Sequence, residues 1–267
     1  MKRSKDKKAE VPVKVESLDE SYEIVEEYKV KGDYGKVVIA RNSAGKLKYF
    51  IVEEPLTPEE ANTLKRVMDD VRFKLIKASG EDLTRIALEK AEEMLKEDLD
   101  KEKLKYYIER DYLGYGPVHL MILDPNLEDI SCNGTNMPIY VWHRKYESVE
   151  TNVTIVDKEY LRSFIRSVAA KCGKHISGAF PILDATLPEG YRFTATLDEV
   201  STKGSSFTIR KFRERPFTIV ELIRDNVIDS TLAAFFWFMI ENKRTFMIIG
   251  ATGSGKTTLL NALLTFI

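Results

Sequence analysis

Residues Thr245 to Ile267 read TFMIIGATGSGKTTLLNALLTFI. The stretch opens with a short apolar run, Phe246 to Ile249, of the kind that forms a buried strand. A glycine-rich segment follows, and leucines at positions 259, 260, 263 and 264 then recur at helical spacing. The order strand, glycine-rich loop, helix predicts the start of a parallel α/β domain, around which the rest of the chain is organised.

The glycine-rich segment has the spacing G-x-x-x-x-G-K-[ST]. Its glycines let successive backbone N–H groups point into one concavity, and the following helix adds its unpaired N-terminal donors. We predict a catalytic role for Lys256 at the β/γ-phosphates of ATP and an Mg²⁺ ligand in the hydroxyl of Thr257. The alternative to a nucleotide site is an ordinary glycine-rich turn with a surface lysine. The predicted nucleotide-binding residues are Gly250, Ala251, Thr252, Gly253, Ser254, Gly255, Lys256, Thr257 and Thr258.

Composition describes a soluble globular protein of about two domains: 267 residues, 43% apolar, 31% charged. A net charge of −1 gives no global attraction to nucleic acid, and no nucleic-acid partner is expected. No apolar run reaches the roughly 20 residues needed to span a bilayer. The first residues, MKRSKDKKAE, lack the apolar region of a secretory signal, so a cytoplasmic location is predicted.

The two cysteines and three histidines are scattered, whereas metal ligands cluster at short spacings. Cys132 and Cys172 are therefore expected to be ordinary thiols. The only metal predicted is Mg²⁺ at Thr257.

The N-terminal part divides into a tail and a small module. Residues 1–33 are rich in charge and are predicted to be largely disordered, their basic cluster being a solvated tail rather than a contact for an acidic partner or a membrane. Residues 34–111 are predicted to form an accessory α+β module with a hairpin and helices. Thr57 with Glu60 forms a capping box for one helix, and a second helix is expected over 82–96.

Short strands and turns dominate residues 112–213. A helix capped by Asp157 interrupts them, which predicts a mostly antiparallel sheet with a helix against it. Residues 214–217 read as a hinge. Residues 218–267 begin the P-loop domain, with a capping box at Thr218 and Glu221 and a helix over 230–241 that is apolar nearly all round and is expected to be buried.

A parallel P-loop sheet needs further strands, a second acidic Mg²⁺ ligand and a residue that orients water. None follows Thr257 in the sequence, so we expect the N-terminal portion of a longer ATPase. By itself the chain is expected to be inactive, with exposed apolar surface on the helix over 230–241.

Two further motifs accompany the P-loop: GPVHLMILDPNLEDISCNG, from Gly116, and DATLPEGYR, from Asp184, continuing to TIRKF at Thr208. In this order the three motifs resemble the secretion ATPase superfamily of type II and type IV secretion, type IV pili and the archaellum, here an archaeal member similar to GspE. The likeness covers about residues 100 to 267 and leaves the first hundred unmatched.

The resemblance implies a PAS-like domain at 112–213 and a RecA-like ATPase domain from 218, with nucleotide between them. It implies a homo-hexamer, a polytopic membrane platform protein as partner, and a peripheral site at the inner face of the membrane. Arg192 and Arg210 match arginines that the family sends to the nucleotide phosphates. A local charge of +4 near the hinge suits an anion, although a solvated strand edge explains it equally well; the charges are those of Lys203, Arg210, Lys211, Arg213 and Arg215 against Glu214.

The sequence thus predicts an ATP-hydrolysing motor subunit that powers protein secretion or the assembly of pili or archaella. A DNA-translocating or other P-loop NTPase is one alternative, although the 249 residues before the loop disfavour a nucleotide kinase. A nucleotide-independent assembly fragment is the other.

Overall fold

The computed structural model describes residues 12–75, 100–201, 203–211, 217–251 and 254–267. The chain divides between Lys211 and Phe212 into two compact units, each described by itself. Both the predicted helix over 82–96 and the predicted hinge, Phe217 excepted, lie outside the described residues.

A mostly antiparallel sheet forms the first unit. Along it the strand order is β2-β3-β4-β7-β6-β5-β10-β9-β8, and β1 pairs with β7. The pair β4–β7 is parallel, whereas the other described pairs are antiparallel. The strands are β1 Val13–Val15, β2 Tyr22–Lys31, β3 Gly35–Asn42, β4 Leu47–Glu53, β5 Leu127–Cys132, β6 Met137–His143, β7 Glu147–Ile155, β8 Ile182–Thr186, β9 Arg192–Thr196 and β10 Ser206–Arg210.

Helices of the first unit begin where the sequence places their caps. Asp157 accepts from the backbone of Tyr160, and the capping box at Thr57 is present in both directions. The helix that begins at Lys101 is α-helical to Ile108 and continues as a π-helical turn, Glu109–Leu113. The α-helices are α1 Pro58–Leu75, α2 Lys101–Ile108, α3 His119–Leu123 and α4 Lys158–Lys171.

Along strands β8 to β10, side chains point alternately into the core and away from it. Phe193 and Phe207 point into the core, where Phe164 of α4 lies 5.1 Å from the ring of Phe207. Because side chains alternate along a strand, Arg192 and Arg210 lie on the opposite, exposed face. The mixed α+β class is confirmed, while the subdivision into an accessory module and a PAS-like domain stays a prediction.

The prediction of a largely disordered segment over 1–33 is wrong for its described part. Strand β2 pairs with β3 along its length. Strand β1 pairs with β7, which is far away in the sequence, and the composition of a segment does not indicate such a long-range contact. Buried Asp124 anchors β2 further, because its Oδ2 accepts from the hydroxyls of Tyr28 at 2.7 Å and Tyr49 at 2.8 Å.

His119 is the first residue of α3, and its imidazole lies against Gly114 of the preceding turn. Among the described residues its Nδ1 is buried without a hydrogen-bond partner, and a Cβ placed on Gly114 would lie 2.4 Å from it. Burial lowers the pKa of His119 from 6.5 to about 4. The histidine therefore stays neutral in the folded protein at pH values where the unfolded chain already binds a proton.

We expect the free energy of unfolding to fall as the pH drops from 6.5 towards 4, by up to about 3 kcal/mol from this group. Urea unfolding at pH 7 and pH 4.5 measures the drop. His119→Phe should show a smaller one, while His175→Gln, at an exposed position, should behave like the parent. Equal drops in the parent and His119→Phe would contradict this assignment.

The second unit is a small helical cluster. Its helices are α5 Ile219–Arg224, α6 Ser230–Glu241 and α7 Lys256–Leu263. The capping box of Thr218 with Glu221 is confirmed. Leu222, Ile228, Ala233 and Ala262 form its core.

The predicted strand over 246–249 is not formed. Met247 and Ile249 are each 82% exposed, and the described residues of this unit contain no strand to pair with. Helix α6 exposes apolar side chains in this chain, since Trp237 is 56% and Phe238 63% exposed, and its burial inside a larger domain stays a prediction. This exposure is the apolar surface expected for the chain by itself, because an apolar helix and an apolar run both need partners to cover them.

Candidate functional site

The loop before α7 has the backbone that its glycines predict. Gly255 stands at the N-cap with φ of 83°, in the left-handed region that favours glycine. Gly250 is closely approached as well, since a Cβ there would lie 2.5 Å from Ser254 Oγ. Thr252 and Gly253, also predicted to bind nucleotide, lie outside the described residues.

Lys256 begins α7 and folds back over this loop. Its Nζ donates to the carbonyl oxygen of Ala251 at 2.5 Å. A phosphate oxygen carries charge and is a stronger acceptor than a carbonyl, so the ammonium can exchange one for the other. Thr257 follows on the same turn with an exposed side chain, and Thr258 is half-buried. Lys256 and Thr257 are the described side chains of this loop that could hold a phosphate oxygen and an Mg²⁺ ion.

The two predicted arginines lie in the first unit, directly opposite one another on β9 and β10. Arg192 holds Asp184 in a two-point ion pair, Nε to Oδ1 at 3.0 Å and Nη2 to Oδ2 at 2.6 Å. Arg210 donates from Nε to Oδ1 of Asp129 at 3.1 Å. The hydrogen bond from Arg192 holds the pKa of Asp184 below its usual range.

Both arginines line a shallow depression of about 330 Å³ on the exposed sheet face. Trp142, which is 43% exposed, is one of its lining residues. The other lining residues are Asp129, Ser131, Tyr140, Val141, Ser148, Thr194 and Thr208. Because the depression is open and carries two guanidinium groups, it suits a negatively charged ligand better than an apolar one.

The basic cluster predicted near the hinge is described only in part, at Lys203, Arg210 and Lys211. Lys211 is 8% exposed, and its ammonium donates to the carbonyl oxygens of Met121 and Asp124. Arg213 and Arg215 lie outside the described residues. Of the described members of this cluster, Arg210 alone lines the depression.

Sequence reasoning missed Asp129 and Asp184, the carboxylates that hold the two arginines. Alternation in LEDISC and ILDAT places both side chains on the same face as the arginines. The sequence could therefore have shown that these carboxylates lie on the same face of the sheet as the arginines. It could not have shown the strand order that makes the carboxylates and the arginines neighbours.

Two other kinds of site are absent from the described part of the chain. No helix in the described ranges combines the length and the apolar character needed to cross a bilayer. Nor do the described residues hold three or more His, Cys, Asp or Glu side chains grouped to bind a metal ion.

Comparison with known families decides the relationship. The family model for type II/IV secretion system proteins matches residues 113–267, more than half of the chain. The chain belongs to this family. In this type II/IV secretion family member the match includes the loop around Lys256 and both arginines, and it excludes β1 to β4.

Relatives of this family member come from archaea and bacteria. An uncharacterized protein of Methanocaldococcus jannaschii is 38% identical over 156 residues, covering 57% of the chain and 22% of the relative. Another from the same organism is 36% identical over 201 residues, covering 67% and 79%. The type IV secretion system protein PtlH of Bordetella pertussis is 28% identical over 171 residues, covering 54% and 50%.

Among solved structures, the chain is similar to the VirB11 ATPase of the Brucella suis type IV secretion system, crystallised with sulphate. The identity is 22%, the TM-score 0.33, and the match covers 54% of this chain and 49% of the other. Two of the curated relatives are much longer than the stretch they share, since the chain spans 22% and 30% of their lengths.

Proposed function

We propose that this secretion-family chain binds Mg²⁺ and ATP and serves a motor ATPase that powers protein secretion or the assembly of a pilus or archaellum. The observation that carries the proposal is the loop from Gly250 to Lys256 leading into α7, with the left-handed Gly255 and the lysine ammonium turned onto the loop. Such a loop presents backbone donors and one point charge to a phosphate chain.

Within this proposal each site residue has a role. Lys256 contacts the β/γ-phosphate oxygens, and the hydroxyl of Thr257 is one ligand of Mg²⁺, which lowers the charge on the phosphates. Arg192 and Arg210 stabilise charge on the γ-phosphate from outside the P-loop unit, within one chain or across two. The proposed assembly is a homo-hexamer that docks on a polytopic membrane platform protein at the cytoplasmic face.

Two other functions remain as alternatives to be tested. A DNA-translocating P-loop NTPase would share the loop, but the net charge of −1 does not favour it. A nucleotide-independent assembly fragment would bind no ATP at all.

Binding of Mg·ATP to the chain, measured by equilibrium dialysis with and without EDTA, tests the proposal. Because Thr257 supplies a metal ligand, Thr257→Ala should weaken Mg·ATP binding at least about tenfold, the lower end of what losing a supporting group costs a metal site. Thr257→Ser keeps the hydroxyl and should bind like the parent. The proposal is contradicted if the parent chain does not bind Mg·ATP and the native protein does not hydrolyse it.

A further inference from the structure

A row of side chains crosses the exposed sheet face of the first unit. Register pairs place Trp142 beside Asp129, Asp129 beside Arg210, and Arg210 beside Arg192. Adjacent strands lie about 4.8 Å apart, so the two guanidinium groups are neighbours across one strand spacing. Asp184 reaches Arg192 from the next strand, β8.

Two like charges opposite one another on paired strands destabilise a sheet. Here each arginine is compensated by one carboxylate on its outer side, Asp129 for Arg210 and Asp184 for Arg192. The arrangement pairs each arginine with a carboxylate beside an open depression that both arginines line. It resembles a phosphate site whose ligands are, in this structure, the protein's own carboxylates.

We propose that Asp184 and Asp129 are positioning residues that hold Arg192 and Arg210 in place and are exchanged for phosphate oxygens when nucleotide binds. The inference rests on the proposed function and adds the regulation of the same site. Each carboxylate competes with the triphosphate for one guanidinium group.

The exchange is feasible because these ion pairs are open to water. The side chains of Arg192 and Asp184 are each 55% exposed, and that of Arg210 is 63% exposed. Exposed ion pairs are weak, since solvent screens them. A phosphate group offers two oxygens to one guanidinium group, with more charge than a carboxylate.

A purely structural role predicts a different outcome. If the pairs only join neighbouring strands, replacing a carboxylate changes stability slightly and leaves nucleotide binding unchanged. If the carboxylates instead compete with nucleotide for the arginines, removing one carboxylate frees one guanidinium group. Mg·ATP then binds more tightly, while Mg·ADP, which lacks the γ-phosphate, is unaffected.

Dissociation constants of the chain for Mg·ATP and Mg·ADP test this, using the isosteric variants Asp184→Asn and Asp129→Asn. We expect the preference for ATP over ADP to rise about threefold in each variant, because the competing charge is gone. Asp198→Asn makes the same charge change in a different ion pair, with Lys158 and Arg162, and should leave the preference unchanged.

The double variant Asp184→Asn/Arg192→Ala identifies the mechanism. The gain should vanish in it, because the carboxylate then has no arginine to release. An unchanged or lower preference in both single variants, or a gain that survives without Arg192, overturns the inference. Lys256→Ala separates the two proposals: if it loses ATP binding while both Asp variants behave like the parent, this inference alone fails.

Discussion

Lys256→Ala is expected to lower ATP turnover of the native protein about 100-fold or more, the scale on which removing one preorganised charge-stabilising donor acts. In the structure the ammonium touches only its own loop, at the carbonyl oxygen of Ala251, among the contacts described. It therefore supports no other element whose loss could explain a defect. The effect should appear in the chemistry and in ATP affinity, with the fold intact.

Turnover, ATP affinity and circular dichroism of Lys256→Ala should be compared with those of Lys174→Ala, an exposed lysine of the first unit. The control variant should match the parent in all three. If Lys256→Ala also retains parental turnover and parental affinity, the loop is a glycine-rich turn with a surface lysine and the nucleotide site is elsewhere.

Arg192→Ala and Arg210→Ala should each reduce ATP turnover by at least tenfold in the native protein. Arginines that act on transition-state charge are worth about 10³ to 10⁵ in rate in related chemistry. ATP affinity should change far less than turnover, because the charge they stabilise develops in the transition state. Both side chains lie on the exposed sheet face, so their removal leaves no cavity.

Arg162→Ala is the matched control. Arg162 also donates to two carboxylates, those of Asp198 and Glu199, but it belongs to α4, which packs on the opposite face of the sheet. Its replacement should lower turnover little. Parental rates in both Arg192→Ala and Arg210→Ala would show that neither arginine takes part in the chemistry.

Much of the local structure was predictable because it depends on residues a few positions apart. The caps at Asp157 and Thr218, and the left-handed Gly255 before Lys256, follow from short-range hydrogen bonding and backbone sterics. Longer-range features were not predictable. Strand β2 carries few buried apolar side chains and is held by pairing with β3.

The sequence by itself determined the glycine-rich loop, the helix that follows it and the alternation that puts Arg192 and Arg210 on one face. Only the tertiary structure decided which strands are neighbours. Asp129 and Arg210 are 81 positions apart, yet they form an ion pair because β10 lies between β5 and β9. The order of the strands depends on how the whole inner face of the sheet is buried. No short-range sequence pattern indicates that order. The apolar run at 246–249 makes the same point, since a strand forms only where another strand accepts its hydrogen bonds.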